Sequence, residues 1–414
     1  MTAVASADQR LAAADPAVPG LAEVLRPLDL VQRLAPGWGA VAARVTYLRY
    51  KPGTSLVAGL VLTADDGATV AAQALALGPA APDKLTKVRR AGEADDVGLG
   101  AVLDPRLGVA LTDVTADRHL PGVRRVLRHA DRTTSPLVYK PGRRWVARQD
   151  RTDAPPSLVK VHRPATLPGL LAGYHALRGL PVSRVTSVHQ RRGVVTSAWL
   201  PGTPLDRLAG DGVADLWARA GGVLADVHRQ PATDGLVPVD RAAGLAAAVA
   251  AVRSVAPELA AEARTVAERV RAGLRGGDGS RVVHGDFSAD QVIVRPDLAA
   301  AAGGTGPGTP AEPGQPAVTV VDLDRVGLDD PVADLASWYG ALVAAGAEPG
   351  DPRDVLAPLL AGYTAAGGRP CLDRLRLHCA AAVLQRATEP FRQHLPGWPA
   401  GVAGLVAVST GLST

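Results

Sequence analysis

The most informative stretch of this sequence is His284-Gly285-Asp286-Phe287-Ser288-Ala289-Asp290-Gln291, and a second acidic cluster, Asp322-Leu323-Asp324, follows it downstream. Valine-rich runs flank both clusters, which predicts that each cluster lies at the end of a β-strand. Strands hold their side chains in fixed directions, and a Mg²⁺–nucleotide site needs carboxylates that converge rigidly. The two clusters therefore favour a phosphoryl-transfer enzyme.

The composition is that of a globular protein. Of the 414 residues, 47% are hydrophobic and 21% are charged, values that are ordinary for globular domains, and the chain is long enough for two or three of them. The net charge of +5 is modest, and no Lys/Arg run with interleaved aromatic residues occurs. The charge therefore suits an anionic ligand, and we expect no nucleic-acid partner.

Cysteine usage and hydropathy bear on the compartment. If Cys371 and Cys379 lie on one helix, they are too far apart along its axis for a disulfide. Two free thiols suggest a reducing environment, so we predict a cytoplasmic protein. The residues Met1-Thr2-Ala3-Val4 do not resemble a secretory signal, and no apolar stretch is long enough to span a bilayer, so we expect no membrane association.

The order of patterns along the chain predicts an α+β protein in which a β-rich lobe, a Pro-Gly hinge and a larger α-rich lobe follow one another. We expect a flexible terminus at 1–19, an N-terminal α+β cap-like segment at 20–130, a β-rich lobe with the hinge at 131–203, and a helical lobe carrying the acidic clusters on a hairpin at 204–414. Residues 297–317 are of low complexity and predict a disordered loop at the tip of that hairpin.

A weak internal repeat occurs in the first half of the chain. Tyr50-Lys51-Pro52-Gly53 recurs as Tyr139-Lys140-Pro141-Gly142, and in the same register Ala71 falls opposite Lys160. We interpret the repeat as two related β-hairpin units, of which only the second carries the lysine. Chance is the alternative interpretation, because Lys-Pro-Gly is common in turns.

Phosphoryl transfer to a hydroxyl assigns a task to each candidate residue. Asp286 is the candidate that orients the hydroxyl and takes its proton, and Gln291 and Asp322 are candidate Mg²⁺ ligands that a hairpin would bring together. Asp324 shares a face with Asp322 if the strand continues, so it is a candidate second or alternative Mg²⁺ ligand. Lys160 is the candidate phosphate clamp, because an unpaired ammonium in its apolar strand would be costly.

These residues match a family motif. His284-Gly285-Asp286 with Gln291, then Val321-Asp322-Leu323-Asp324, Gly327, Asp330-Pro331 and Asp334-Leu335-Ala336, resemble the aminoglycoside phosphotransferase/choline kinase-like family over roughly residues 136–395. The resemblance implies a bilobal protein-kinase-like fold, with ATP and Mg²⁺ as cofactors. It also implies that Asp286 is the catalytic base, that Gln291 and Asp322 bind Mg²⁺, that Lys160 contacts the ATP phosphates, and that Trp199 and Leu200 lie beside the adenine.

The sequence departs from the family pattern in three places. Gln291 stands where most members have Asn, although maltokinase-like members also resemble this chain in having Gln. The helix predicted at 166–177 lacks the usual acidic partner of the strand lysine. The sequence also has no clear Gly-rich loop to cover the phosphates, and the most similar segment is Pro141-Gly142-Arg143-Arg144. These departures motivate an alternative function, a nucleotide-binding pseudokinase or regulatory module without turnover.

Other residues near the motif have ordinary structural interpretations. We expect Asp330 to cap a helix that begins with Pro331, Asp334 to lie in its first turn, and Asp290 to be a solvated loop charge. His284 should hydrogen-bond its own loop, and His228 should be a satisfied residue near a helix end.

The acceptor is predicted to be a small molecule with a hydroxyl, such as a sugar, an aminoglycoside-like compound or another metabolite. The helices beyond residue 352 carry few clustered acids, which argues mildly against a cationic aminoglycoside. Arg386, Glu389, Arg392 and Trp398 are possible lining residues of the acceptor site.

Overall fold

A computed structural model describes residues 6–79, 82–93, 99–128, 132–274, 280–304 and 314–414. The chain divides into two compact units. The first unit consists of Met1–Leu167, Val185–Trp199 and Pro390–Ala400, and the second of Pro168–Arg184, Leu200–Glu389 and Gly401–Thr414. The first unit is rich in strands and the second in helices, so the predicted α+β class is confirmed.

The first unit contains two five-stranded sheets in which every paired neighbour is antiparallel. The strands of the first sheet are β1 (Ala40–Lys51), β2 (Ser55–Ala64), β3 (Thr69–Leu77), β4 (Ala101–Asp104) and β5 (Val109–Asp113). Those of the second sheet are β6 (Arg132–Lys140), β7 (Arg144–Arg151), β8 (Ala154–His162), β9 (Val185–His189) and β10 (Val194–Ala198).

The second unit contains only short strands among its described residues, namely β11 (Thr203–Pro204), β12 (Arg281–Val283), β13 (Val292–Val294), β14 (Val318–Val320) and β15 (Gly327–Asp329). The α-helices, numbered along the chain, are α1 (Ala7–Ala14), α2 (Leu21–Val24), α3 (Pro27–Leu34), α4 (Pro82–Glu93), α5 (Gly122–Leu127), α6 (Leu167–Ala176), α7 (Val213–Arg229), α8 (Arg241–Val255), α9 (Ala260–Gly273), α10 (Pro296–Ala301), α11 (Val332–Ala344), α12 (Pro352–Val355), α13 (Ala357–Ala365), α14 (Leu375–Arg386), α15 (Glu389–Arg392) and α16 (Trp398–Leu412).

The two sheets of the first unit repeat one topology. Their strand orders are β1-β2-β3-β5-β4 and β6-β7-β8-β10-β9, so each is a three-stranded meander followed by two strands added in reverse order. A helix follows the third strand in both cases, α4 after β3 and α6 after β8. The weak sequence repeat therefore coincides with a repeat of the whole supersecondary unit, which chance similarity of one turn does not explain.

Matching hydrogen bonds support the same conclusion. In the first sheet Asp15 accepts from the Tyr50 hydroxyl at 2.6 Å and from the Gly53 amide at 2.8 Å. In the second sheet Asp117 accepts from the Tyr139 hydroxyl at 3.0 Å and from the Gly142 amide at 2.6 Å. Each Tyr-Lys-Pro-Gly turn is thus held by one buried upstream carboxylate.

The strand register corrects one detail of the repeat. Val57 pairs with Leu75 across β2 and β3, and its counterpart Val146 pairs with Lys160 across β7 and β8. Leu75, and not Ala71, therefore occupies the position of Lys160. The sequence alignment was wrong there because the β2–β3 hairpin is longer than the β7–β8 hairpin, which shifts the register beyond its tip.

The N-terminal residues differ from the expected flexible terminus. Residues 7–14 form α1, whose capping box pairs the Ser6 hydroxyl with the Gln9 amide at 3.2 Å and the Gln9 side chain with the Ser6 amide at 2.7 Å. Such reciprocal bonds satisfy amides that a helix start leaves without partners.

Two further boundaries differ from the sequence-based expectation. The predicted disordered loop at 297–317 includes most of α10, and residues 305–313 lie outside the described residues. Residues 390–400, expected in the helical lobe, belong to the first unit, because the Phe391 ring packs between Tyr50 and Trp398 at centroid distances of 6.4 and 5.0 Å.

The core of the second unit forms around α7, α11, α13 and α14. Close crossing of α7 and α13 depends on glycine, since a Cβ on Gly221 or Gly362 would overlap the backbone of the facing helix. Phe287 and Trp338, both fully buried, pack together with a centroid distance of 5.2 Å. This contact fixes the segment that follows Asp286 to the helical core.

Cys371 precedes α14 and is exposed, whereas Cys379 is buried within it, and both are free. Among the described residues, every helix is too short or too polar to cross a membrane.

Candidate active site

The two acidic clusters meet on a hairpin, as predicted. β13 and β14 pair antiparallel with Val292 opposite Val320, and one step beyond this pair the Val321 amide donates to the Gln291 carbonyl at 2.9 Å. Gln291 and Asp322 therefore leave the same end of the hairpin. Val321 also accepts a hydrogen bond at 2.9 Å from Nε2 of His284, which must be the protonated nitrogen because a carbonyl only accepts.

Asp322 does not continue the strand. Its backbone is left-handed, with φ 60° and ψ 55°, and Leu323–Arg325 form a 3₁₀ turn. The expectation that Asp324 shares a strand face with Asp322 is therefore wrong, because the strand ends at Val320. A left-handed non-glycine residue costs roughly 1–2 kcal/mol, and such local strain at a candidate ligand is a common property of functional sites.

Gln291 is oriented by its neighbour. Its side-chain amide donates to Asp290 Oδ2 at 2.6 Å, and Asp290 Oδ1 accepts from the Ser288 hydroxyl at 2.5 Å. Asp290 is exposed, as expected of a loop charge, but it also fixes the amide nitrogen of Gln291. The amide oxygen, the atom suited to a hard cation, is thereby left facing away from this contact.

Asp286 lies on the loop between β12 and β13 and is held by two arginines. Arg386 Nη2 is 2.7 Å from Asp286 Oδ1, and Arg325 Nη1 is 3.4 Å from Oδ2. Burial raises the pKa of Asp286, but the charges of Arg386 and Arg325 lower it by more, so the pKa lies below its ordinary value. The carboxylate is therefore ionised and able to accept a hydrogen bond from a hydroxyl.

Asp334 anchors the backbone that carries Asp286. Its Oδ2 accepts from the His284 amide at 2.6 Å and its Oδ1 from the Gly285 amide at 2.8 Å. Gly285 has a φ of +82°, which favours glycine, and a Cβ there would collide with the Arg325 carbonyl. Asp334 lies in the first turn of α11, as expected, but its role as a buried anchor was missed.

His228 extends this anchor into the core. Its Nε2 lies 3.1 Å from Asp334 Oδ2 and its Nδ1 lies 2.8 Å from the Tyr363 hydroxyl. Burial, followed by the charges of Asp334 and Asp330, raises the pKa of Tyr363 to about 12, so the hydroxyl keeps its proton and donates to Nδ1. Nε2 then donates to the carboxylate. A histidine near a helix end gave no sign of this network in the sequence.

Asp330 caps α11, although the helix begins one residue later than expected. Its Oδ1 accepts from the Val332 amide at 3.0 Å, and its Oδ2 lies 3.3 Å from His378 Nε2. Burial raises the pKa of Asp330, but the hydrogen bonds from His378 and from the Val332 amide lower it by more, so the pKa falls to about 2.

A cavity of about 90 Å³ borders Asp286 within the second unit. Its charged and polar lining includes Asp286 and Arg386, and its apolar lining comes mainly from α8, α9 and α14. Arg386, which the sequence suggested as a lining residue of the acceptor site, lines this cavity. Trp398 differs from that suggestion, because its side chain is buried within the first unit beside Phe391.

The remaining candidate residues lie in the strand-rich region and at the boundary of the units. Lys160 is a buried residue of β8 and has an interaction partner. Trp199 is the last residue of its segment in the first unit, where the Arg148 guanidinium lies 4.8 Å from its ring centroid. Leu200 begins the next segment of the second unit.

Solved structures of similar proteins include three kinds of phosphotransferase. An aminoglycoside-3'-phosphotransferase of type VIII is 20% identical, with 65% of this chain and 99% of that chain covered and a TM-score of 0.46. A choline/ethanolamine kinase family protein from Mesorhizobium loti is 15% identical (70% and 91% covered, TM-score 0.48). A macrolide 2'-phosphotransferase from Brachybacterium faecium is 19% identical (70% and 98% covered, TM-score 0.42). These values are too low to transfer a substrate or a site residue.

No curated protein matches the chain significantly. Residues 115–306, however, match the phosphotransferase enzyme family. The matched segment includes Asp286 and Gln291, whereas Asp322 lies beyond its end. The family resemblance predicted from the motifs is thereby confirmed for this segment, which is a phosphotransferase enzyme family region.

Proposed function

We propose that the protein is an ATP- and Mg²⁺-dependent kinase that transfers the γ-phosphate of ATP to a hydroxyl of a small molecule. The observation that carries this proposal is the position of Val321. Its carbonyl accepts from the His284 ring and its amide donates to the backbone carbonyl of Gln291, so one residue ties together the loop of Asp286, the backbone of Gln291 and the neighbouring Asp322.

The oxygen ligands present suit Mg²⁺. Gln291 offers an amide oxygen, and Asp322 and Asp324 offer carboxylates, which are ligand types that a hard cation prefers. No cluster of three or more His, Cys, Asp or Glu side chains that could hold a metal occurs in the described parts of the chain. The metal is therefore expected to depend on phosphate oxygens for the rest of its coordination, as is usual for Mg²⁺ in kinases. When bound, it would neutralise charge on the transferring phosphate.

Asp286 has the task of the base. Its ionised carboxylate accepts a hydrogen bond from the acceptor hydroxyl and orients its oxygen toward the γ-phosphorus. As the new oxygen–phosphorus bond forms, the bond from the γ-phosphorus to the bridging oxygen breaks, the hydroxyl proton passes to Asp286, and ADP leaves with the bridging oxygen. The lowered pKa of Asp286 suits a late proton transfer, in which the carboxylate mainly orients.

The nucleotide is assigned to three residues by the family pattern. Lys160 contacts the phosphates, and Trp199 and Leu200 flank the adenine. The burial of Lys160 in an apolar strand supports this assignment, because a lysine is seldom buried without a specific partner. The acceptor is a sugar, an aminoglycoside-like compound or another hydroxyl metabolite.

Asp286→Asn tests the role of the base. We expect ATP consumption, measured over a panel of hydroxyl acceptors, to fall by about 10²–10⁴. ATP binding, measured by thermal shift with Mg²⁺, should stay nearly unchanged. Asp297→Asn is the matched control, because Asp297 is exposed and pairs with Arg295. Unchanged turnover in Asp286→Asn contradicts the assignment, and Mg²⁺-dependent ATP binding without turnover on any acceptor favours a pseudokinase.

A further inference from the structure

Of the two arginines that pair with Asp286, Arg386 lies nearer, at 2.7 Å against 3.4 Å for Arg325. Its side chain is only 11% exposed. Nη2 donates to Asp286 at 2.7 Å and to the Ser337 hydroxyl at 3.2 Å, and Nε lies 4.0 Å from Glu389 Oε1. The guanidinium is thus held beside the candidate base by contacts on more than one side.

Arg386 retains donors for a ligand. Among the described residues, its hydrogen bonds run through Nη2 alone. A guanidinium carries five N–H donors and no acceptor, and Arg386 lines the cavity beside Asp286. Whatever group of an acceptor lies against Arg386 must therefore accept a hydrogen bond.

The carboxylates of this cavity are already compensated. Asp286 pairs with Arg386 and Arg325, Asp329 pairs with Arg241, and Asp334 receives two backbone amides and His228. An ammonium group entering the cavity would meet guanidinium groups before it met a free carboxylate. Like charges a few ångströms apart repel, and a partly buried site screens this repulsion less than bulk water does.

We propose that Arg386 selects the acceptor by donating a hydrogen bond to an oxygen atom next to the hydroxyl that is phosphorylated. The acceptor therefore carries an oxygen, and not an ammonium group, at the position beside its reacting hydroxyl. This inference rests on the proposed function. The oxygen belongs to a neighbouring hydroxyl or to a carboxylate, since both accept from a guanidinium.

Three matched acceptors test this selection: cis-1,2-cyclohexanediol, cis-2-aminocyclohexanol and cis-2-hydroxycyclohexanecarboxylate. They place a hydroxyl, an ammonium or a carboxylate beside one reacting hydroxyl on the same ring. We expect kcat/KM for the ammonium compound to be at least about tenfold lower than for the better of the two oxygen compounds. The comparison of the two oxygen compounds tells a hydroxyl neighbour from an anionic one.

Variants of Arg386 connect the selection to this residue. In Arg386→Ala the preference for oxygen over ammonium should collapse to within about threefold, with a higher KM for the oxygen acceptor and an ATP KM within about twofold of wild type. Arg386→Lys should restore part of the preference, because lysine keeps the charge and a donor. Arg376→Ala on the same helix is the control, as Arg376 is half exposed and contacts Gly411 and Asp351.

The outcomes separate this inference from the proposed function. Preference for the ammonium compound, or an unchanged preference in Arg386→Ala with an unaltered melting temperature, overturns the role of Arg386 while leaving the kinase intact. If the protein consumes ATP with none of these three compounds and with no other hydroxyl compound, the proposed function is overturned, and the inference falls with it.

Discussion

At the scale of single residues, a chain of buried hydrogen bonds supports the backbone that carries Asp286. His228 lies between Tyr363 and Asp334, and Asp334 holds the amides of His284 and Gly285. In a buried site, removal of one partner leaves the other without a hydrogen bond, at a cost of about 1–3 kcal/mol.

His228→Phe is therefore expected to lower the free energy of unfolding by about 1–3 kcal/mol and to lower kcat more than the KM for ATP. Tyr363→Phe removes only one hydroxyl and should cost about 1 kcal/mol. Denaturant melts of the two single variants and the double variant measure the coupling. Strict additivity would show that the three side chains do not form one network.

The charge of Asp330 makes a pH-dependent contribution. Its pKa is about 2 in the folded protein, against about 3.9 for an unperturbed aspartate. A depressed pKa stabilises the fold above the unfolded value, and the contribution is lost as pH falls through about 2. Asp330→Asn keeps an acceptor for the Val332 amide. We expect it to lower the free energy of unfolding by about 2 kcal/mol at neutral pH and by much less near pH 2. A constant difference between wild type and variant across this range would contradict the assignment.

At the scale of elements, the repeated sheets offer a paired experiment. Asp117 accepts from Tyr139, Gly142 and the His119 amide, whereas Asp15 accepts from Tyr50 and Gly53. Both carboxylates are buried. We expect Asp15→Ala and Asp117→Ala each to lower the free energy of unfolding by about 1–3 kcal/mol, with the larger loss for Asp117. The exposed Asp66, in the β2–β3 turn, provides an Asp→Ala control. If thermal unfolding gave both variants the same melting temperature as this control, the shared role of the two carboxylates would be contradicted.

The hairpin of β13 and β14 was predictable because short valine runs border both clusters, and an antiparallel pair follows from their proximity in sequence. The turn after Val320 was not. Asp322 is left-handed and Leu323–Arg325 form a 3₁₀ turn, and alternation along a strand contains no signal for where the strand stops. The position of Asp324 relative to Asp322 was missed for this reason.

At the scale of the whole chain, the first helix and the segment Pro390–Ala400, which are far apart in sequence, meet within the first unit. Asp8 accepts from Trp398 Nε1 at 3.1 Å and lies 2.9 Å from His394 Nε2. Burial raises the pKa of Asp8, but the hydrogen bonds from His394 and Trp398 and the charge of His394 lower it by more. Because its pKa is lowered on folding, ionised Asp8 stabilises the fold at pH values above its pKa in the unfolded chain. This stabilisation is lost as the pH falls through its pKa in the folded protein.

We expect Asp8→Ala to lower the free energy of unfolding by about 1–2 kcal/mol at neutral pH. Asp29→Ala is the matched control, since Asp29 lies in the first turn of α3 and is exposed. Calorimetry checks the change, and the difference between Asp8→Ala and wild type should shrink in acid. A melting temperature equal to that of the control would contradict the contact.

Local periodicity and residue types at short spacing were enough to predict the α+β class, the hairpin and the family resemblance, and to propose Asp286, Gln291 and Asp322 as candidate site residues. The groups that surround Asp286 could be identified only in the folded chain. Arg386, Asp334 and His228 come from separate helices, and long-range packing brings them together without any local pattern. The same reason explains the register of Lys160 and the placement of residues 390–400, since loop lengths and side-chain contacts across the fold set both.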